Sequence, residues 1–422
     1  MAYLGPPPAR TPVTSAQITD ASVTAAKLAT DSVTTVKIAA ANVTTAKITD
    51  ANVTDAKVSS SVSQLGKNLI QNGAFRVSQR GTSFTGLGDA SAHPYTLDRW
   101  YFQEESDGGG RYTVTQEADA GPGNGFTNHV SMHCTTADGT LAAGILNLLE
   151  QRIEAQNLQH IMKGTAAAKP LTMSFWVKSS QTGVMNVLIR ADDNSDRSYL
   201  HNYTINVADT WEYKSYTIPG DTTGVINNDT GRGFSVMFVL AAGSTFQGGT
   251  ADAWATHNNN RYGTDQTVNI FASTDDDWSV TGVQLEVGSV ATDFEHEDFG
   301  VTYLKCKRYL PFYFDAANNS NFRFAFGAAY STSYFQCILP FLVPPRAAVT
   351  ISVDSIGNWR AETGDGTGIT VTAIATQPSV NADNFGMWST ANFQSSSGYT
   401  AKEPGFLRPN GTSGIMIASC EL

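Results

Sequence analysis

The chain has 422 residues, which is long enough for two or three domains with a core each. Hydrophobic residues make up 41% of it and charged residues only 15%, a balance that favours β-structure with many turns over helices with charged faces. The formal net charge of −11 argues against a nucleic-acid partner, because phosphate binding needs a cationic surface.

Residues 1–12 are short, Pro-rich and without an apolar core, so we expect no secretory signal in them. The longest apolar-rich run, residues 234–242, has nine residues, about half of what spans a bilayer. We therefore expect no membrane insertion. The four widely spaced cysteines form no CxxC pair, which predicts free thiols in a protein made in a reducing cytoplasm.

A ten-residue repeat occupies residues 13–58. An apolar residue every five positions fits neither the helical period nor the strand period. The segment is therefore either extended chain with a turn in each repeat or a series of short helical turns opened by Asp, Ser or Thr caps. The recurring apolar residues are Val13, Ile18, Val23, Leu28, Val33, Ile38, Val43, Ile48, Val53 and Val58.

One copy of this repeat has too little apolar surface to fold on its own. Its 46 residues contain 11 large aliphatic side chains and no aromatic ring. That burial does not offset the conformational entropy lost on ordering the segment. Three copies around a common axis can cover each other's apolar rows. The alternative is a disordered linker, although a linker has no reason to keep Val and Ile in register.

The VTTAKI-type repeat resembles the shafts of bacteriophage tail fibres. The resemblance implies a homotrimer with a virion-attachment segment at 1–12, which docks on a tail adaptor or nozzle protein, and a trimeric shaft at 13–66. It also implies a place in the virion tail after assembly in the host cytoplasm.

A globular region begins near Lys67, because aromatic residues are absent between Tyr3 and Phe75 and frequent afterwards. Period-two patterns separated by Gly- and Asn-rich turns predict an antiparallel sandwich or jelly roll over residues 67–300. Short helices are expected at 156–163 and about 299–309. The alternating patterns are Leu171–Val177, Met185–Ile189, Phe234–Leu240 and Val283–Val287.

The segments NLIQNGAFRVSQRGTSF, YTLDRWYF, LTMSFWVKSS and DDDWSVTGVQLEVGSVATDFEH together resemble the carbohydrate-binding-module-like jelly roll of many phage tail proteins. The resemblance covers roughly residues 67–310. Some related sugar-binding modules hold a structural calcium, for which Asn72 and Asp277 are weak candidates here. The NGAF turn lacks an expected acidic ligand, and calcium takes six to eight oxygens, so we expect no metal and no cofactor.

Residues 301–422 are rich in aromatic residues and show further alternation, which predicts a smaller distal β-domain. Trp388 and Tyr399 are candidate receptor contacts there, because aromatic faces stack on sugar rings. The alternative is that both rings lie in the core or between subunits. The predicted architecture is therefore all-β: a trimeric repeat shaft, a jelly-roll β-sandwich and a smaller C-terminal β-sandwich.

No residue pattern establishes an enzyme. His129 and His133 fall on one face of an alternating stretch rather than at helical metal-ligand spacing. The acidic residues Asp275–Asp277, Glu295, Glu297 and Asp298 do not establish the two opposed carboxylates that glycosidic cleavage needs. We therefore predict a tail fibre that binds a host-surface receptor, and a glycan is the receptor we expect. The alternatives are a polysaccharide depolymerase and a purely architectural tail appendage.

Overall fold

The computed structural model describes residues 66–88, 94–105, 108–119, 121–193, 196–318, 322–364, 366, 368–376, 388–395, 398–411 and 414–422, with Ile18 and Thr24 as isolated positions. The chain divides into two compact units, Met1–Ser59 and Ser60–Leu422. The predicted attachment segment and shaft lie outside the described residues, apart from Gly66 and the two isolated positions.

The first half of the larger unit contains twelve strands, a 3-10 helix at Ala155–Ile161 and a shorter one at Ser244–Phe246. The strands are β1 (Ser83–Leu87), β2 (Tyr101–Glu105), β3 (Arg111–Glu117), β4 (His129–Thr136), β5 (Leu146–Glu154), β6 (Leu171–Ser179), β7 (Gly183–Ala191), β8 (Arg197–Ile205), β9 (Glu212–Ile218), β10 (Arg232–Ala242), β11 (Trp254–Thr256) and β12 (Asp277–Val287).

These strands form two six-stranded sheets, in the orders β1-β3-β4-β12-β6-β9 and β11-β8-β7-β10-β5-β2. Every strand pair in them is antiparallel. One shared core lies between the sheets, with Trp100, Phe175, Phe238 and Trp278 among its fully buried side chains. All four predicted alternating patterns lie in strands of this sandwich, which we call the first sandwich.

The two sheets of the first sandwich differ in how their outer faces are covered. A second apolar cluster, which includes Leu148, Leu188, Val239 and Phe246, covers the outer face of the sheet that contains β10. Every residue of β10 except the first is therefore buried. The outer face of the other sheet carries polar and aromatic side chains instead, and the candidate site lies there.

A helix and ten strands follow in the second half. They are α1 (Phe299–Lys307), β13 (Phe312–Asp315), β14 (Ala325–Ala329), β15 (Tyr334–Pro340), β16 (Thr350–Val353), β17 (Trp359–Thr363), β18 (Gly368–Thr370), β19 (Ala373–Thr376), β20 (Trp388–Gln394), β21 (Pro404–Pro409) and β22 (Ile415–Ser419), with 3-10 turns at Ala316–Asn318 and Ile356–Asn358.

The strands of this second sandwich form a three-stranded sheet, β13-β22-β16, and a seven-stranded sheet, β18-β17-β21-β14-β15-β20-β19. Their core contains Phe335, Trp359, Phe393, Leu407 and Met416. The prediction of an all-β fold with two sandwiches is confirmed. The four cysteines are free and buried.

Both predicted short helices are present at the expected places. The helix expected at about 299–309 is α1, whose N-cap Asp298 accepts a hydrogen bond from the backbone N–H of Gly300 at 2.8 Å. The one expected at 156–163 is a 3-10 helix, Ala155–Ile161. None of the described helices is long and apolar enough to cross a membrane.

A buried ionic seam joins the two sandwiches. Arg99 of the first sandwich is 1% exposed and pairs with Glu421 at 2.5 Å. Its guanidinium also lies over the ring of Tyr309, 3.4 Å from the ring centre. Beside it, Arg308 makes two hydrogen bonds, of 2.8 and 2.9 Å, to the carboxylate of Glu154.

Candidate functional site

The alternation of side chains along each strand determines which residues lie on the outer face of the β6–β9 pair. Along β6, Leu171, Met173, Phe175 and Val177 belong to the core, so the residues between them point outward. The register pairs Ser174 with Ser215 and Trp176 with Tyr213. Two hydroxyls and two aromatic rings are therefore adjacent on one surface.

The aromatic rings on this surface form a platform. The ring centres of Trp176 and Tyr213 are 5.3 Å apart and their planes are inclined by 53°. Tyr213 is 45% exposed, so much of its ring is available to a ligand. Trp211, just before β9, lies under the ammonium group of Lys178, with 5.4 Å from nitrogen to ring centre.

A segment at residues 290–296 turns the platform into a groove. The groove is open to solvent and has a volume of about 780 Å³. Its aromatic side is Trp176 and Tyr213, and the opposite side includes Phe126 and Phe294. We call this space, with its lining residues, the β6–β9 groove.

Hydrogen bonds to β12 hold the 290–296 segment in place. The carboxylate of Glu286 accepts from the backbone N–H of Thr292 at 2.9 Å and from its hydroxyl at 2.6 Å. The side-chain oxygen of Gln284 accepts from the N–H of Glu295 at 2.8 Å. Glu286 and Gln284 are both buried, so these bonds fix the segment against the sheet.

A backbone irregularity in β12 makes room for the aromatic ring of Phe126. The pairing of β12 with β6 shifts between Thr281 and Gln284. Gly282 lies in this shift with a φ of 63°, a left-handed value that glycine adopts without strain. A Cβ at this position would lie 2.6 Å from the Cζ of Phe126, so only glycine allows the ring to pack there.

The lining of the β6–β9 groove is nearly uncharged. Among the lining residues, which all belong to the described part of the chain, Asp293 is the single carboxylate and no Lys or Arg occurs. Near the start of β9, burial raises the pKa of Glu212. Hydrogen bonds from Lys214, Val207 and Asn206 lower this pKa by more than burial raises it, so that it falls to about 2. Glu212 thus stays ionised and fixes the turn before β9. The groove offers ring faces and hydroxyls to a ligand.

The histidine pair lies on the same outer face, as predicted, but each histidine has its own carboxylate. His129 Nδ1 lies 3.2 Å from Asp119, and His133 Nδ1 lies 2.8 Å from Asp277. Burial lowers the pKa of His129, and Asp119 only partly compensates. No group of three or more His, Cys, Asp or Glu side chains suited to a metal occurs among the described residues.

The two calcium candidates do not come together. Gly73, next to Asn72, packs on Val283 of β12, whereas Asp277 lies six residues earlier on that strand. At about 3.3 Å per residue, this places them roughly 20 Å apart. The side-chain oxygen of Asn72 already accepts the N–H of Val77 at 3.0 Å. The interpretation of Asn72 and Asp277 as one calcium site is therefore wrong.

The two acidic groups considered for a glycosidase pair, at 275–277 and at 295–298, are also separate from each other. Asp277 pairs with His133 at one end of β12. Glu295 accepts the backbone N–H of Asn68, which itself bonds to Val283 and Leu285 towards the other end. In the same part of the chain, Glu297 pairs with Lys305 at 2.5 Å and Asp298 begins α1.

The two receptor candidates of the second sandwich have different positions. Tyr399 is 3% exposed and belongs to the core, where its ring centre lies 6.0 Å from that of Phe335. The prediction of a surface contact at Tyr399 is therefore wrong, and the core alternative holds for this ring. Trp388 begins β20, opposite Pro340 of β15, and its side chain lies outside the described residues.

The sequence analysis missed Trp176, Tyr213 and Trp211. A signal for Trp176 was present, because the alternation of LTMSFWVKSS puts this large ring on the polar side of a strand. The partner strand β9 carries Tyr213 among polar residues, without an apolar pattern that would mark it. The opposite side of the groove comes from residues at least 50 positions away from Trp176 and Tyr213 in the sequence, which no local pattern reveals.

Comparison with known proteins gave matches among solved structures alone. No protein-family model and no curated protein sequence matches the chain. One structural match is the enzymatically active domain of tailspike protein 4 of bacteriophage CBA120, with 14% identity and a TM-score of 0.27. It covers 52% of this chain, which spans only 21% of that protein.

Two carbohydrate-binding modules also match. One, described as CBM4, has 16% identity and a TM-score of 0.26, and the match covers 52% of this chain and 99% of the module. The other is the family 11 module of a Clostridium thermocellum cellulosomal cellulase, with 13% identity, a TM-score of 0.24 and coverage of 49% and 95%. All these TM-scores are below 0.5, so the two-sheet fold rests on the strand pairing described above.

Proposed function

We propose that the chain is a structural tail-fibre protein of a bacteriophage, a homotrimer that binds a host-surface glycan and does not cleave it. The β6–β9 groove is the observation that carries the glycan-binding part. The register repeat of residues 13–58 supports the fibre and the trimer, because its apolar rows need partners of the same kind.

The groove has the chemistry that sugar binding requires. The exposed faces of Trp176 and Tyr213 present flat apolar surface to the C–H-rich face of a sugar ring. Ser215, which is exposed, lies beside them and offers a hydroxyl for orientation, whereas its register partner Ser174 is buried. Because Asp293 is the one carboxylate of the described lining and no Lys or Arg occurs in it, a neutral glycan fits better than an acidic one.

The same lining supports the proposal of binding without cleavage. Glycoside hydrolysis needs two carboxylates on opposite sides of the scissile bond. Among the described residues that line the groove, Asp293 is the one carboxylate. The proposal therefore assigns this groove to recognition.

The test measures binding of the full-length protein to neutral and acidic polysaccharides from the host surface by affinity electrophoresis. Trp176→Ala and Tyr213→Ala should each weaken binding of the neutral polysaccharide about tenfold, the effect of roughly 1.4 kcal/mol of lost ring contact. Both variants should keep the melting temperature of the unaltered protein within a few degrees, because neither ring lies in the core.

Tyr330→Ala is the matched control, since Tyr330 is an aromatic residue of the second sandwich that is 78% exposed. It should bind as the unaltered protein does. Equal affinity of the Trp176→Ala variant would show that the glycan binds elsewhere. Release of shorter saccharides at a catalytic rate would replace the binding role with a depolymerase.

A further inference from the structure

The seven-stranded sheet of the second sandwich has one face against the core and one face open. Ala325, Cys337 and Leu407 point into the core. Their neighbours Phe326, Ile338 and Phe406 therefore point outward. Strand register places Phe326 opposite both Phe406 of β21 and Ile338 of β15, so the three side chains form a row across the sheet.

This row is exposed although it is apolar. Phe326 is 58% exposed, Ile338 47% and Phe406 39%. The ring centres of Phe326 and Phe406 are 5.6 Å apart in an edge-to-face arrangement. The same strands present Ala328, Pro340 and Pro404 beside the row, on the same face. We call these six residues the apolar row.

Among the described residues of this sheet face, charges are confined to one flank of the apolar row. Glu362 of β17 lies opposite Phe406 in the register. The side chain of Glu362 is 10% exposed, and its carboxylate pairs with Arg323 and Arg408. The centre of the face thus carries no charge, and the nearest carboxylate already has partners.

We propose that the apolar row is the surface on which the second sandwiches of three copies of this chain pack against each other. This inference rests on the proposed homotrimer and adds the place of contact. Around a threefold axis identical side chains approach one another, so an axial surface must be free of charge to avoid repulsion between like groups. The apolar row meets that condition and its charged flank lies to one side.

The area suits a contact between copies that are also held together elsewhere. The three large side chains and the three smaller ones present on the order of 400 Å² of apolar surface per chain. In a trimer each pair of copies then shares on the order of 400 Å², less than a free-standing specific interface buries, so the contact relies on the proposed trimeric repeat of residues 13–58 to keep the copies together. The nearest hydrogen-bonding side chain on this face is satisfied within the sheet, because Gln336, opposite Ala328, donates to the Oδ1 of Asn392 at 3.0 Å.

A spin label at Ala328 of the full-length protein tests the contact directly. The four native cysteines are buried, and burial raises the pKa of Cys337 to about 12, so a single added thiol reacts selectively. Ala328→Cys should give label-to-label distances within roughly 20 Å, since packed sheets lie about 10 Å apart. Its label should also be immobilised, whereas a label at Thr204→Cys on an exposed position of β8 should move freely.

Introducing a charge into the apolar row gives a second measurement. Phe326→Glu puts three carboxylates near the axis and should lower the melting temperature of the trimer by at least about 5 °C. The matched control is Val207→Glu, at an apolar residue of the first sandwich that is 56% exposed, and it should have no such effect. Circular dichroism at low temperature checks that both variants are folded.

The outcomes separate this inference from the trimer itself. A trimeric mass by light scattering with close, immobile labels at position 328 supports both. A trimeric mass with distant, mobile labels overturns the contact and leaves the trimer. A monomeric or dimeric mass at micromolar concentration overturns both. Immobilisation only after addition of host-cell envelope would assign the apolar row to a receptor and overturn the contact between copies.

Discussion

Asn72 shows how a single side chain organises the start of the first sandwich. It is 5% exposed, with a φ of 55°. Its amide group donates to the carbonyl oxygens of Val77 and Asp98 at 2.9 and 3.0 Å, and its backbone oxygen accepts from the indole N–H of Trp100 at 3.2 Å. Because it both donates and accepts, no carboxylate can replace it.

Asn72→Asp should therefore destabilise the protein by at least about 2 kcal/mol, because the new carboxylate faces two carbonyl oxygens without a proton to donate. Thermal unfolding measures the change, and removal of divalent ions should leave the melting temperature unchanged. Asn258→Asp, at an exposed position, is the control and should have little effect. Stabilisation of the Asn72→Asp variant by calcium would contradict this account.

At the scale of elements, close backbone contact joins the N-terminal turn to β12. The carbonyl oxygen of Gly73 accepts the N–H of Val283 at 2.9 Å. A Cβ on Gly73 would lie 2.1 Å from the carbonyl oxygen of Val283. The turn can thus reach the strand only because residue 73 lacks a side chain.

We expect Gly73→Ala to lower the free energy of unfolding by about 1–3 kcal/mol, since the backbone must move to remove the clash. Denaturant unfolding gives the value. Gly357→Ala provides the comparison, because nothing lies within 4 Å of a Cβ there, and its effect should stay within about 0.5 kcal/mol. Equal effects of the two substitutions would show that the turn does not depend on this contact.

The secondary-structure elements differ in how well the sequence predicts them. Strands such as β6 and β10 were predictable because their inward residues alternate strictly. The segment at 156–163 was predicted as a short helix, and the structure has a 3-10 helix at Ala155–Ile161. Its buried residues Ala155, Leu158 and Ile161 recur every three positions, which is the period of a 3-10 helix.

The candidate site was less predictable than the fold, for a physical reason. The β6–β9 groove depends on which strands become neighbours and on the 290–296 segment that crosses the sheet. Aromatic residues alone did not indicate the surface, because Tyr399 looks like a sugar contact in sequence and is buried in the core. Exposure of a ring is a property of the assembled sheets.

At the scale of the whole molecule, the ionic seam makes the two sandwiches one unit, in agreement with the compact unit Ser60–Leu422. Burial by itself lowers the pKa of Arg99, but Tyr309 and Glu421 raise it more, so the guanidinium stays charged. A buried charge is tolerated when its partner is present and is costly when the partner is removed.

Glu421→Gln should therefore cost about 3–5 kcal/mol, because Arg99 keeps its charge and loses its carboxylate. Calorimetry should show a clearly lower melting temperature. Asp196→Asn removes the partner of Arg190 in a pair whose side chains are 24% and 41% exposed, and should cost less than about 1 kcal/mol. If the Glu421→Gln and Asp196→Asn variants have the same melting temperature, the ionic seam contributes no more to stability than a surface ion pair does.

The seam also has a mechanical consequence. Tension applied between the two sandwiches must pull Arg99 and Arg308 away from Glu421 and Glu154 before the sheets can separate. Charge pairs in a dry environment resist stretching over short distances and then fail abruptly, because water enters once they open. A single molecule under force should lengthen in one sharp step at this junction, without gradual extension beforehand.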